Sequence, residues 1–257
     1  MLKKFELNCK VSENTPLNGY YFRLVLTQDK PLPEMHPGQF VEIKVENTPS
    51  VYLRRPISIS DVDYKENKLS LIIKKVGDGT DYISKLLQND VVNLLLPLGN
   101  GFSLLEKGSA LLVGGGVGIA PLLYLGKMLT SNGVNVKYLL GFKYQSDLID
   151  LSDFRAIGDV SITTEDGSVG TKGFVINHSV INEKYDRMYV CGPTPMMKNV
   201  AKAATVSGTD CEVSLENMMA CGLGACLGCV TKTVEGHKCV CSDGPVFNIK
   251  DLPWILQ

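Results

Sequence analysis

The sequence lacks most of what would carry it into a membrane or onto a polyanion. No apolar run approaches the eighteen or so residues a membrane helix requires. The N-terminus, MLKKFELNCKV, alternates like a strand and has no apolar h-region of a signal peptide. Twenty-six Lys and Arg face twenty-seven Asp and Glu, a formal charge of −1, so no basic footprint points to nucleic acid. A cytoplasmic protein is expected. Histidine is scarce, and His36, His178 and His237 are scattered, with no acid/base constellation for substrate chemistry around them. There is no internal repeat and no low-complexity tract. What the chain does have is cysteine: eight in 257 residues, five of them from Cys221 to Cys241. In a reducing compartment that density indicates thiolate or metal chemistry rather than disulfides. Cys9 lies in a strand pattern and Cys211 just before one, and both read as small buried hydrophobes.

The length suits two domains and a small appendage, divided as 1–103, 104–210 and 211–257. The first hundred residues hold short strand patterns, "YYFRLVLT", "QFVEIKV", "RRPISIS", "LSLIIKKV" and "VVNLLLPLG", separated by Pro and Gly. One short helix, about Asp81 to Gln88, interrupts them. This pattern predicts a small antiparallel barrel. From Ala110 apolar strands alternate with helices, which predicts a parallel sheet covered on both faces. Beyond Asp210 the glycine and cysteine density argues against a packed helix or sheet, and the segment reads as a cofactor loop.

Two turns mark the α/β part. "GGGVGIAP" carries Gly114, Gly115, Gly116, Val117 and Gly118 between a strand and a helix, where backbone N–H groups can face a pyrophosphate. Ile119 stands where a dinucleotide fingerprint has its third glycine, so a plain strand-to-helix turn is the competing reading. "VCGPTPMM" ends another strand with Cys191, Gly192 and Pro193. Ligands in open α/β sheets bind at the carboxyl ends of strands, which puts both turns on one edge. Between them "TTEDGSVGTKG" offers Glu165 and Asp166 to a ribose or simply to solvent. In the barrel, "RRPISIS" sets two arginines before a proline and two serines, and "KKVGDGTDYISKLL" puts Gly77, Gly79 and Thr80 at a helix start. An arginine beside exposed N–H groups makes a diphosphate clamp.

Cys221-x4-Cys226-x2-Cys229 has the spacing of the first three ligands of a plant-type [2Fe–2S] site. A four-cysteine zinc site more often uses two C-x2-C pairs, and only one is present here. Spacing leaves the fourth ligand open between Cys239 and Cys241.

In order and content, "RPIS", "GGGVGIAP" and "CGPTPMM" resemble the ferredoxin–NADP reductase family. The resemblance implies a β plus α/β architecture: an antiparallel FAD-binding β-barrel, an NAD-binding parallel-sheet α/β domain and a C-terminal [2Fe–2S] segment. It places Arg55 on the FAD diphosphate and Pro56, Ile57 and Ser58 along the flavin, with Ile57 where an aromatic is common. Ile72, Ile73 and Lys74 line the ring, and Gly79 and Thr80 take the phosphates. Cys191 falls near the nicotinamide, so Ser58 and Cys191 are the candidate catalytic residues, while Gly114–Gly118, Gly192 and Pro193 hold NAD(H). With "CGLGACLGCV…CSDGPVF" at its end, the whole chain is similar to electron-transfer subunits of class 1B dihydroorotate dehydrogenase. In that family the fourth cysteine directly precedes x-Asp-Gly-Pro-Val-Phe, here Cys241, which leaves Cys239 spare. The resemblance implies an FMN-containing catalytic partner in a heterotetramer of two plus two chains. "GFKYQSD" supplies Lys143 but no arginine–serine pair for a 2′-phosphate, which favours NAD over NADP. The alternatives are the small subunit of an NADH-dependent ferredoxin:NADP oxidoreductase or of a sulfide or polysulfide reductase and, from another class, a zinc-stapled binding module.

Overall fold

The computed structural model describes residues 3–46 and 50–254. Short runs rich in Val, Ile, Leu and Phe form β1 (Phe5–Pro16), β2 (Tyr21–Thr27), β3 (Phe40–Ile43), β4 (Arg55–Ser58), β5 (Asp61–Asp63), β6 (Lys68–Lys74), helix α1 (Asp78–Ser84) and β7 (Val91–Leu98). The strands make a seven-stranded antiparallel sheet in the order β4-β3-β7-β1-β2-β6-β5. Its two edges belong to one stretch of chain, Arg55–Asp63. The stretch pairs with β3 at its start, and Ile59 N–H still donates to Gln39 O at 3.0 Å. One residue later Ser60 N–H donates to Ser70 O of β6, also at 3.0 Å, so the sheet closes as a barrel. The barrel is filled by Leu24, Leu26, Ile43, Leu69, Leu71 and Leu94, with Cys9 buried among them.

Helix α1 begins and ends earlier than the expected Asp81–Gln88. The Thr80 hydroxyl accepts from Val76 and Gly77 N–H and donates to Gly77 O, which starts the helix at Asp78. At the far end Asn14 Nδ2 takes the carbonyls of Ile83 and Leu86 at 3.0 and 2.9 Å and stops propagation.

The second sheet contains β8 (Ser109–Gly115), β9 (Asn135–Phe142), β10 (Asp159–Thr164), β11 (Thr171–Lys172), β12 (Arg187–Cys191), β13 (Asp210–Ser214) and β16 (Val246–Asn248), with α2 (Ala120–Ser131), α3 (Ser152–Arg155) and α4 (Thr194–Ser207) between strands. Its order is β11-β10-β9-β8-β12-β13-β16, parallel except for the last pair. Alternate residues of β8 face opposite ways: Ala110 and Leu112 pack with α2, Leu111 and Val113 with α4. The chain leaves β8 toward β9 on one side and returns to β12 on the other, which makes the β8/β12 boundary a topological switch point.

Packed strands do occur after Asp210, contrary to the reading of that segment as a loop. β13 extends the parallel sheet, β14 (Val230–Thr233) and β15 (Gly236–Cys239) form a hairpin, and β16 returns to pair with β13. Glycines crowd only 222–228, and on either side the alternation survives, with Cys211 and Val213 fully buried. No helix among the described residues is long and apolar enough to cross a membrane.

Candidate functional site

Between barrel and second sheet lies a cavity of about 550 Å3. Nine of the residues proposed from sequence line it: Arg55, Pro56, Ile57 and Ser58 from β4, Ile72, Ile73 and Lys74 from β6, Thr80 from α1, and Val117. Gly79 lies behind the wall, where an added Cβ would stand 2.9 Å from Arg55 Cδ, so α1 and the arginine seat each other. Arg55 Nε and Nη2 donate to Arg54 O and Leu53 O, both at 3.0 Å, which fixes the guanidinium beside α1. Thr80 spends its hydroxyl on its own turn, as described above.

Gly114, Gly115, Gly116, Gly118, Cys191, Gly192 and Pro193 stand outside that wall, at the switch point. Gly114 and Cys191 are register partners across β8 and β12. The two turns pack backbone against backbone: a methyl on Gly118 would run into the Cys191 carbonyl and come 2.7 Å from Gly192 Cα. Close approach of one turn to the other therefore accounts for Gly118. Cys191 is buried, and burial first, then the Glu216 carboxylate, push its thiol above the ordinary range against a hydrogen bond from Ser214. It is a neutral thiol at physiological pH, suited to packing rather than nucleophilic attack.

Sequence reasoning missed Ser214, the last residue of β13, and Glu216 just beyond it, which line the same cavity. Glu216 keeps surface open to the cavity while the surrounding protein raises its carboxyl above the usual carboxylate range. Only the pairing of β12 with β13 brings these residues beside Cys191. The single local signal was their place at the carboxyl end of a strand.

The cavity wall continues through Asn217, Met218 and Met219 into Cys221. Four sulfurs receive backbone N–H groups. Cys221 Sγ accepts from Leu223 and Cys226, both at 3.4 Å, Cys226 Sγ from Gly228 at 3.5 Å, Cys229 Sγ from Cys241 at 3.4 Å, and Cys241 Sγ from Gly224 at 3.2 Å. The N–H groups of Leu223 and Cys226 hold the Cys221 thiol down to about 6, whereas burial pushes Cys241 up to about 12. Among the described residues no N–H points at Cys239 Sγ. Its own N–H donates to Asp243 Oδ2 at 2.6 Å, while its carbonyl accepts from Ser242 and Asp243. This turn carries Cys241 off the strand that holds Cys239, yet both thiols lie against Cys229, and burial together with that neighbour raises each of them. Gly222, at φ +63°, lets the loop descend onto the buried Glu42 of β3, whose carboxyl a Cβ there would meet at 2.7 Å. Burial raises that carboxyl.

Residues 216–253 match the family model described as the iron–sulfur cluster binding domain of dihydroorotate dehydrogenase B. A dihydroorotate dehydrogenase B (NAD(+)) electron transfer subunit of Fusobacterium nucleatum is 37% identical over 255 residues, covering 95% of this chain and 97% of that protein. The protein of the same description from Caldanaerobacter subterraneus is 42% identical over 219 residues, 82% of this chain and 85% of its own length.

The chain belongs to the electron transfer subunit family of dihydroorotate dehydrogenase B.

It is thus an oxidoreductase component. Among solved structures, an NADH-dependent reduced ferredoxin–NADP oxidoreductase, described for flavin-based electron bifurcation, superposes with a TM-score of 0.86 at 30% identity, covering 96% of this chain and 90% of that one. The ferredoxin reductase of carbazole 1,9a-dioxygenase superposes at 0.71 with 20% identity, over 81% of this chain and 67% of that one. The residues present fit the groups such a subunit carries. Thiols with N–H donors already aimed at four of them suit an iron–sulfur cluster, whose sulfurs need such donors. A cavity walled by aliphatic strands, with an arginine at one end, suits a flavin dinucleotide.

Proposed function

We propose that this electron transfer subunit carries electrons between NAD(H) and the FMN of a dihydroorotate dehydrogenase catalytic chain, the step that joins dihydroorotate and orotate in pyrimidine biosynthesis. Bound here, FAD supplies exchange between a two-electron hydride and single electrons, and a [2Fe–2S] cluster supplies one-electron carriage. Arg55 anchors the FAD diphosphate, with Gly79 and Thr80 shaping the turn it faces. Pro56, Ile57, Ser58, Ile72, Ile73 and Lys74 form the bed of the flavin ring and exclude water from it. Gly114–Gly118, Gly192 and Pro193 form the NAD(H) crevice. Neutral Cys191 and Ser58 limit where the nicotinamide can lie. Cys221, Cys226, Cys229 and Cys241 hold the cluster. The assembly pairs two of these chains with two catalytic chains, in the cytoplasm.

The continuity of cavity and cysteine loop carries this reading. Met219 lines the cavity two residues before Cys221. Two residues of chain span at most about 7 Å, so the cavity wall and the first thiolate are neighbours. Metal and flavin analysis of the purified protein tests it. About two iron and two labile sulfide with about one FAD per chain are expected. Zinc without sulfide, or a colourless protein, overturns it. The 0.86 superposition on the ferredoxin–NADP oxidoreductase supports a second reading, transfer to ferredoxin, which ferredoxin-dependent NADH oxidation without any catalytic partner would favour.

A further inference from the structure

Tyr21 belongs to the barrel, yet it is part of the buried core of the second sheet, the cluster that also holds Ile119, Ala120 and Cys191. It is 3% exposed. Its ring lies under Lys74 Nζ at 5.5 Å, so the side chain stands between the flavin cavity and the nucleotide crevice. Among the described residues nothing accepts from its hydroxyl, which is not sealed off like the buried unpartnered atoms of Asn14, Glu42, Thr163 and Arg187 and so is open to a ligand. The hydroxyl faces Gly116, the turn residue at φ +55°, where an added Cβ would come within 3.6 Å of it and meet nothing else within 4 Å.

Asn18 fixes this placement. Its Oδ1 accepts from Tyr20 and Tyr21 N–H, both at 2.9 Å, and its Nδ2 donates to the carbonyls of Ser146, Asp147 and Leu148 at 3.3, 3.3 and 3.1 Å. One side chain thereby ties the start of β2 to the loop after β9. The Arg23–Asp153 ion pair at 2.6 Å, on the same strand, adds a second tie. Burial, with Asp147 and Glu216 nearby, pushes the phenol up to about 12, so it remains an O–H donor at neutral pH.

We propose that Tyr21 completes the dinucleotide site from the barrel side, its O–H donating to a phosphate or ribose oxygen of NAD(H) lying over Gly116. The inference rests on the reading of Gly114–Gly118 as the NAD(H) crevice. It makes that site a two-domain structure whose geometry depends on the Asn18 tie.

The test compares Tyr21→Phe and Gly116→Ala with the parent protein, by calorimetric titration with NAD+, FAD content and thermal melting. Tyr21→Phe removes a hydroxyl with no protein partner, so FAD content and melting temperature are expected to stay at parent values. NAD+ affinity is expected to fall about tenfold, which is about 1.4 kcal/mol. Gly116→Ala, which puts a methyl into the crevice, is expected to weaken NAD+ as well. Parent-like NAD+ affinity in Tyr21→Phe with weakened binding in Gly116→Ala overturns the role of Tyr21 and leaves the crevice standing. Parent-like affinity in both removes the crevice reading and the inference with it. A lowered melting temperature with loss of FAD in Tyr21→Phe overturns the inference in favour of packing.

Discussion

Cys241→Ser and Cys239→Ser differ by two positions in one turn, yet their consequences are expected to be far apart. Cys241 Sγ is reached by Gly224 N–H at 3.2 Å, and Cys241 N–H reaches Cys229 Sγ at 3.4 Å, so this residue is tied to both other parts of the thiol set. Structural four-ligand metal sites are worth roughly 10–16 kcal/mol, or about 3 kcal/mol for each ligand. Losing one thiolate therefore weakens retention by about two orders of magnitude, and most iron and sulfide should be lost on purification. Cys239 is 8% exposed and lacks an N–H on its sulfur among the described residues. Replacing that thiol by a hydroxyl costs the burial of a polar group, about 1–2 kcal/mol. At roughly 2–4 °C per kcal/mol for a chain of this size, the melting temperature falls by several degrees, with iron and sulfide near parent levels. The assay is iron and acid-labile sulfide per chain beside the visible spectrum. Retention of the cluster in Cys241→Ser with loss in Cys239→Ser would refute the reasoning from N–H placement.

Other expectations follow from the interlocked turns, the strand ends and the barrel pairing that holds the cavity's strands. Gly118→Ala forces a methyl onto the Cys191 carbonyl, an overpacking cost of about 1–3 kcal/mol, and melting scans should show a fall of about 5 °C with NAD+ binding weakened and iron content kept. Asp186 is held below the usual carboxylate range first by Ser109 N–H, at 2.7 Å, and then by the Ser109 hydroxyl. A depressed carboxyl stabilises the fold above its unfolded value of about 3.9 and loses that contribution as the pH falls through the folded value. Asp186→Asn should therefore melt lower than the parent at pH 7, the gap closing as the pH falls below the ordinary carboxylate range, as melting temperatures across pH would reveal. Stripping iron with a chelator should leave NADH bleaching of the flavin intact, since β4 and β6 are held in the cavity wall by their pairing with β3 and β2 in the barrel; an anaerobic spectrum checks this.

Much of the site was legible because its chemistry is local. A C-x4-C-x2-C loop with glycines sets thiol spacing within nine residues, and "RPIS" and "GGGVGIAP" announce a strand and a strand-to-helix turn. Placement along the cavity wall bears on Arg55, Ser58 and Ile72–Lys74, since the pairing of strands brings them to one surface. What escaped was nonlocal. Glu216 reaches the cavity only because β13 pairs with β12, and Tyr21 reaches Gly116 only because Asn18 binds a loop more than 120 positions away. The strands after Asp210 were hidden by composition: glycine and cysteine in one short loop masked the alternation of "DCEVS" and "VFN" on either side. The early start of α1 came from the Thr80 hydroxyl, a cap inside "GDGTD" rather than ahead of it.

Electron transfer through this chain is measured most directly by mixing it with an FMN-containing dihydroorotate dehydrogenase chain and following NAD+ reduction on adding dihydroorotate. NADH is expected to form only when both chains are present and to stop forming with Cys241→Ser. NADH formation by the catalytic chain alone, or none from a mixture whose flavins and cluster are intact, would contradict this.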